Sequence, residues 1–393
     1  MVEEQTAGTT VTAALEAPIR RLLGRERATA DTWQVVPLQN SFGGATGGIF
    51  RVEGSARAGG RTIPFALVLK VIRAPTGRLA GMPQITADPG GSHYWQREAL
   101  AYQSGSLDDL PGLAAPHCYG IKEQADGALW LWLEAVRDDG GPVWPFDCYG
   151  TAARHLGQFN GAYLVGRPRP EYAWLSRRWL RDWIPLWSGM QDRSLVRQEE
   201  AWRTPLARIA FPEPVAEQTL RMWEDEAAFL AALDRLPQTL LHRDANRTNL
   251  FCRRRPGQPD ETVAVDWAFM GSGAVGEDVV QVIVSTLWRG LVAPEAAEEL
   301  SAVAWHGYLE GLREAGWQGD ERLARLGYAA SAVLRFGFFP GWVLQMATDA
   351  EQRARWEAPT GKPAEEIVAS LGAASRLLLG LAAEARTLIA ALD

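Results

Sequence analysis

Lysine is scarce in this chain: of 40 basic residues only Lys70, Lys122 and Lys362 are lysine, and the rest are arginine. That bias suggests a GC-rich coding sequence, and it makes a lysine inside an apolar strand a residue that needs a reason. Cysteine is also rare. Cys118, Cys148 and Cys252 are odd in number, far apart and without CxxC or metal-type spacing, which argues against a disulfide framework or a zinc site and for a reducing compartment. Long apolar runs are missing; Phe65 to Val71 and Leu129 to Leu133 fall far short of the ~20 residues that cross a bilayer. The first residues carry acids and no apolar stretch of the secretory type. Together these features predict a soluble, cytoplasmic protein with no membrane partner. Positive charge is not in excess either: 47 acids against 40 bases give a net −7, which excludes a general nucleic-acid binder.

What the chain does have is enough apolar material, 47% over 393 residues, for one large core or two modest ones. From Trp33 to Ile72, short apolar runs alternate with glycine-rich turns: WQVVPLQ, SFGGATGG, IFRVEG, ARAGGRT and IPFALVLKVI. They read as three strands of an antiparallel meander, preceded by a leading helix. A helix is predicted at SHYWQREALAYQSGS, and strands at APHCYGIKEQ and ALWLWLEAV. After DDGGP the apolar spacing turns helical, with stripes at 150–164, 174–190, 196–208, 214–235, 278–290, 293–315, 320–348 and 363–391. The reading is an α+β protein of two lobes, a β-rich one over 1–137 and a larger helical one over 138–393.

One segment interrupts the helices, LLHRDANRTNLFCRRRPGQPDETVAVDW. It holds two short strands, near 249–254 and 261–266, joined by the turn-forming PGQPD. Antiparallel pairing would bring the open ends together and set Asn249 beside Asp266, with Asp244 on the loop just before. Two carboxylates and an amide oxygen are hard ligands that suit Mg²⁺ and, through it, phosphate oxygens. A phosphoryl-transfer site follows.

The run His242-Arg243-Asp244-Ala245-Asn246-Arg247-Thr248-Asn249 with Asp266 downstream resembles the HxDxxxxN motif and metal-binding aspartate of aminoglycoside phosphotransferases and related small-molecule kinases, among them choline and homoserine kinases. The resemblance implies a bilobal protein-kinase-like fold, with ATP and Mg²⁺ as cofactors and a hydroxylated small molecule as acceptor. It implies that Asp244 accepts or orients the hydroxyl proton, that Asn249 and Asp266 hold Mg²⁺, and that His242 stabilises the loop. Such a site also needs a glycine-rich hairpin, a phosphate-binding lysine and a carboxylate to hold it. Ser41, Gly43, Gly44 and Gly47 supply the first, although an ordinary hairpin would look the same. Lys70 in FALVLKVI supplies the second, since a buried ammonium costs several kcal/mol, roughly, unless paired. Glu98 is its natural partner, with Glu123 and Glu134 as rivals. The resemblance places the adenine edge near Glu134 and Val136, and makes Asp278 a structural residue that caps the start of a helix and supports the loop.

Departures from the family pattern are informative. Asn246 stands where the relatives carry Lys or His, Trp-Ala follows Asp266, and no Ala-Pro-Glu activation segment is found. These absences argue against protein substrates. Gly361-Lys362 is followed by Pro363, so no P-loop competes. Thirteen of the 17 tryptophans lie after residue 140; they are either core or an aromatic wall for a bulky ligand. Arg253-Arg254-Arg255 reads as a solvated hairpin tip. As acceptor the resemblance implies an antibiotic of aminoglycoside, macrolide or nucleoside type, modified for resistance. Metabolic alcohols such as homoserine, choline or a sugar, and a non-catalytic nucleotide-binding regulator, are the alternatives.

Overall fold

The computed structural model describes residues 14–38, 45–188 and 192–392. Helix α1 (14–23) is followed by strands β1 (Thr29–Pro37), β2 (Thr46–Ala58) and β3 (Arg61–Ile72). Then come helix α2 (Arg97–Gln103) and strands β4 (Leu113–Ala114), β5 (Cys118–Glu123) and β6 (Leu129–Glu134). Five strands form one antiparallel sheet in the order β1-β2-β3-β6-β5. Side chains alternate faces along a strand, and β3 uses both. Phe65, Leu67, Leu69 and Val71 are buried with Leu15 and Ile19 of α1. On the other face Ile72 packs with Leu131, Leu133 and Ala99 of α2. Lys70 shares that second face, between an apolar sheet and the short helix that carries Glu98.

The second part of the chain is mainly helical. It contains α3 (Phe146–Ala162), α4 (Trp179–Ser188) and α5 (Glu226–Arg235), then four short strands, then α6 (Ala297–Glu314), α7 (Glu321–Phe336), α8 (Phe339–Thr348) and α9 (Ala364–Leu392). The strands are β7 (Gln238–Leu241), β8 (Leu250–Arg253), β9 (Glu261–Ala264) and β10 (Gly271–Ala274). β8 and β9 make the hairpin expected from the sequence, and β4 adds to β9 in parallel. β7 and β10 pair antiparallel. Glycines allow α3 and α6 to touch backbone to backbone: a Cβ on Gly311 would stand 1.9 Å from the Arg154 carbonyl oxygen, and one on Gly157 would stand 2.2 Å from that of Tyr308.

Several predicted stripes are broken by local chemistry. The one at 320–348 is two helices, because Gly337 ends α7 and Pro340 occupies the first turn of α8. That at 196–208 is split where Thr204 caps a new helix opening at Pro205. β7 and β10, four residues each, gave no periodic signal. Helix α9 is long and apolar enough to cross a membrane by length and composition, a feature the run-length reading did not pick out. Its buried residues, Val368, Leu371, Leu378 and Leu381 among them, belong to the main core. It is packed as a core helix.

One ion pair ties the halves together, and a second fixes the connecting segment. Arg253 of β8 reaches Glu134 at 2.7 Å, and Arg247 reaches Asp138 at 2.6 Å. Arg253 is therefore no solvated tip; only Arg254 and Arg255 of that run are exposed, at 47% and 51%.

Candidate active site

The site gathers at the interface of sheet and helices, where three segments meet. Lys70 is 5% exposed and Glu98 1%, so an ammonium here must be paired. Its Nζ stands 2.5 Å from Glu98 Oε2 and 3.0 Å from Asp266 Oδ1. Burial works against the charge, yet the two carboxylates outweigh it and hold the ammonium above its usual range. At Asp266 burial likewise favours the neutral acid, but Lys70 prevails and the carboxyl sits below the usual carboxylate range. Asp266 adopts a left-handed backbone with φ 62°, a region that aspartate tolerates better than most residues. Glu98 is thus the lysine's partner on its helix. The rival Glu134 is used otherwise, accepting from the His117 N–H at 3.2 Å and pairing with Arg253.

The nucleotide-side residues divide. Ser41, Gly43 and Gly44 lie outside the described residues. Gly47 stands in the first residues of β2, where the register slips between Thr46 and Gly48. The Val136 N–H donates to the Glu134 carbonyl at 3.1 Å, so this stretch is a tight turn.

The loop after β7 is built around buried groups. Asp278 is fully buried and accepts N–H bonds from His242 at 2.9 Å and Arg243 at 2.7 Å, and from the Asn160 amide at 2.9 Å. It precedes a helix and supports the loop, as expected, and its oxygens are taken up by these loop bonds and Asn160 instead of by the helix. The Asp244 N–H donates to His242 Nδ1 at 3.1 Å, so Nε2 carries the proton and donates to the Val265 carbonyl at 3.0 Å. Burial keeps this imidazole neutral by lowering its pKa. One histidine therefore links the loop of Asp244 to the strand end that leads to Asp266.

Asp244 itself is held at both oxygens. Gln281 Nε2 donates to Oδ1 at 2.7 Å, and Arg335 Nη2 stands 3.4 Å from the same atom. Asn249 Nδ2 donates to Oδ2 at 2.8 Å and to the Asp244 carbonyl at 2.9 Å. Burial pushes the Asp244 carboxyl up to about 6, against the pull of Arg335, which suits a group that orients or takes a hydroxyl proton near neutrality. Asn246, the departure from the family pattern, is buried and accepts from the Thr248 N–H and hydroxyl at 3.0 and 2.6 Å. It shapes the loop, and Arg335 supplies the cation beside Asp244.

Three of these participants escaped the sequence reading. Gln281 lies in a π-helical turn, Gln281–Ser285, a distortion that often marks functional sites and that no apolar stripe reveals. Arg335 comes from α7, far away in sequence. Arg97, beside Glu98, is fully buried and gives its guanidinium to five carbonyls: Trp174 at 2.7 Å, Ser92 at 3.0 Å, Ala268 at 2.9 Å, Pro89 at 3.1 Å, and Gly91. Ala268 lies two residues past Asp266, so Arg97 fixes the chain that positions this carboxylate.

The donor chemistry fits a hard divalent cation. Asn249 spends its amide nitrogen on Asp244, which leaves its oxygen as a ligand atom, and the Asp266 side chain is 26% exposed. Among the described residues no three His, Cys, Asp or Glu side chains form a cage. One carboxylate and one amide oxygen are the sparse protein contribution typical of Mg²⁺, which keeps waters and phosphate oxygens in its other positions.

Residues 96–325 match the sequence model of APH, the phosphotransferase enzyme family. No curated protein matches the sequence. A microcompartment-associated aminopropanol kinase superposes over 93% of this chain and 98% of its own, at 13% identity and a TM-score of 0.50. An amicoumacin kinase solved with AMP-PNP and Ca²⁺ covers 84% of this chain and 89% of its own, at 15% identity and 0.49. For choline kinase from Cryptosporidium parvum the values are 90%, 89%, 10% and 0.45. At 13% identity the likeness to the aminopropanol kinase is one of fold, the α+β kinase-like fold.

Proposed function

The chain belongs to the phosphotransferase enzyme family, and from that premise we propose that it moves the γ-phosphoryl group of ATP to a hydroxyl of a small molecule. The observation that carries this reading is the pairing of Lys70 with both Glu98 and Asp266, at 2.5 and 3.0 Å, with an Asp244 held at both oxygens near enough to feel the Asp266 charge. In the proposed reaction the acceptor oxygen attacks the γ-phosphorus, the bond to the β–γ bridging oxygen breaks, and the hydroxyl proton leaves by way of Asp244. Lys70 binds phosphate oxygens, and Glu98 keeps it extended in its strand. Asn249 and Asp266 would hold Mg²⁺, which when bound neutralises charge on the phosphates. Gln281 and Asn249 orient the carboxylate of Asp244, and most of the catalysis is positioning and charge stabilisation.

Residues up to 137 would hold the nucleotide, and those from 138 the acceptor. A hydroxylated antibiotic, inactivated by phosphorylation, is the leading acceptor; a metabolic alcohol is the alternative. A regulator without turnover has no need to keep Lys70, Asp244, Asn249 and Asp266 together. Titration of the protein with ATP and Mg²⁺ tests the nucleotide half: binding should be Mg²⁺-dependent and lost in Asp266→Ala. Equal binding in that variant would remove Asp266 from the metal site.

A further inference from the structure

The tryptophans of the helical part are not scattered. Trp179, Trp183 and Trp187 recur every fourth residue on α4 and therefore lie on one face. Trp183 meets Trp187 at 5.0 Å between ring centroids, Trp187 meets Phe338 and Trp342 at 5.7 and 5.8 Å, Trp342 meets Trp356 at 4.8 Å, and Trp356 meets Trp288 at 6.3 Å. Trp183, Trp187, Trp288, Trp342 and Trp356 all keep part of their surface exposed.

This tract contacts the reacting centre through one arginine and faces it through a second. Arg335, 3.4 Å from Asp244 Oδ1, has its guanidinium carbon 4.3 Å from the Trp179 ring centre and 5.3 Å from that of Trp183. Arg289, which faces Asp244 electrostatically, has its own 5.1 Å from the Trp288 ring centre. Polar atoms are also left over: the indole N–H groups of Trp187 and Trp288 and the amide oxygen of Gln281 are buried without partners. Buried polar groups are normally satisfied, and a ligand reaches these three atoms once neighbouring side chains move aside.

Resting on the proposed phosphotransfer, we infer that the acceptor is a hydroxylated molecule with a flat aromatic ring system and no ammonium group, seated on the tryptophan tract with its reacting hydroxyl at Asp244. Polycations are disfavoured on the tract side of Asp244, because the charged groups that face it from there are the guanidinium groups of Arg335 and Arg289. Aromatic cages also bind quaternary ammonium ions through ring faces, but here Arg335 and Arg289 already stand over rings at both ends of the tract. Neutral aromatic surface meets neither objection.

The test compares acceptors in the full-length protein with ATP and Mg²⁺. Novobiocin and p-nitrophenyl β-glucoside represent aromatic alcohols without ammonium groups, kanamycin a polyamine, and choline a quaternary ammonium. Product is read by mass spectrometry, and binding by quenching of tryptophan fluorescence. The inference expects quenching and phosphorylation with the aromatic alcohols, at a higher kcat/KM than with kanamycin or choline. Trp187→Leu should raise KM for the aromatic acceptor roughly three- to tenfold, the worth of an aromatic contact, and Trp187→Phe should restore most of it. Arg289→Glu should shift selectivity toward kanamycin. Preferential phosphorylation of kanamycin or choline, or no quenching by either aromatic alcohol, would overturn the inference. Mg²⁺-dependent ATP binding, measured in the same samples, separates that failure from failure of the phosphotransfer reading itself.

Discussion

Arg97 is the residue whose replacement tests the architecture most severely. Its five N–H donors are all the side chain has, and five carbonyls accept them. Those carbonyls come from the loop before α2, from Trp174 and from Ala268. Arg97→Met keeps much of the apolar stem and removes every donor. Each buried carbonyl left unpaired costs about 1–3 kcal/mol, and relaxation with entry of water reduces the sum, so the expected loss is about 4–5 kcal/mol, near the top of the range for single substitutions. With an unfolding entropy of about 2.1 cal/mol/K per residue, a chain of this length that melts as one unit loses about 5–6 °C. Thermal unfolding followed by circular dichroism reads this directly. Arg97→Lys, with three donors, should lose about half as much. A shift under about 2 °C for Arg97→Met would refute the reasoning that these five bonds hold the segment around Asp266.

Other consequences follow from the same geometry. Lys70→Met leaves Glu98 buried beside no cation and should cost about 3–5 kcal/mol; adding Glu98→Leu should recover stability in denaturant titrations without recovering turnover, and a double variant with wild-type kcat would remove Lys70 from catalysis. Gln281→Leu breaks the 2.7 Å bond to Asp244 and should lower kcat by roughly tenfold or more, the worth of a hydrogen bond to a charged group, with steady-state kinetics as the check. His93 is held down to about 4 from 6.5, chiefly by burial and then by Arg97 and Arg335. Below pH 6.5 the unfolded chain binds this proton and the folded chain does not, so stability is full above pH 6.5 and falls between there and about 4. The loss from His93 is at most about 3 kcal/mol by pH 4, and His93→Gln should flatten that part of the stability–pH curve.

The sequence carried the architecture where chemistry is local. Alternating apolar residues gave β2 and β3, and PGQPD gave the β8–β9 hairpin, so the neighbourhood of Asp244, Asn249 and Asp266 could be read before any coordinates. Lys70 was legible because an ammonium in FALVLKVI has to be paired, and the structure selects Glu98 over Glu134. What stayed hidden depends on contacts between distant segments. Arg97 looks like any surface arginine until five carbonyls from three parts of the chain close on it. Arg335 is 91 residues from Asp244, and nothing in its own helix marks it. Arg253 was misread for the same reason: in a hairpin tip rich in arginine, only the folded chain shows which one turns inward to Glu134. Gln281 was missed because its turn is π-helical, and a 3.6-residue stripe assigns it no special direction. Cys148 and Cys252, far apart in sequence, lie side by side, which spacing alone could not show.

The central claim is that Asp244 serves phosphoryl transfer to a hydroxyl. The most direct measurement incubates wild type and Asp244→Asn with ATP, Mg²⁺ and a panel of hydroxylated compounds, and follows the addition of one phosphoryl group by mass spectrometry, with ATP binding titrated in both proteins. The account predicts a singly phosphorylated product from the wild type, and ATP binding without product from Asp244→Asn. Equal product from both proteins would contradict it.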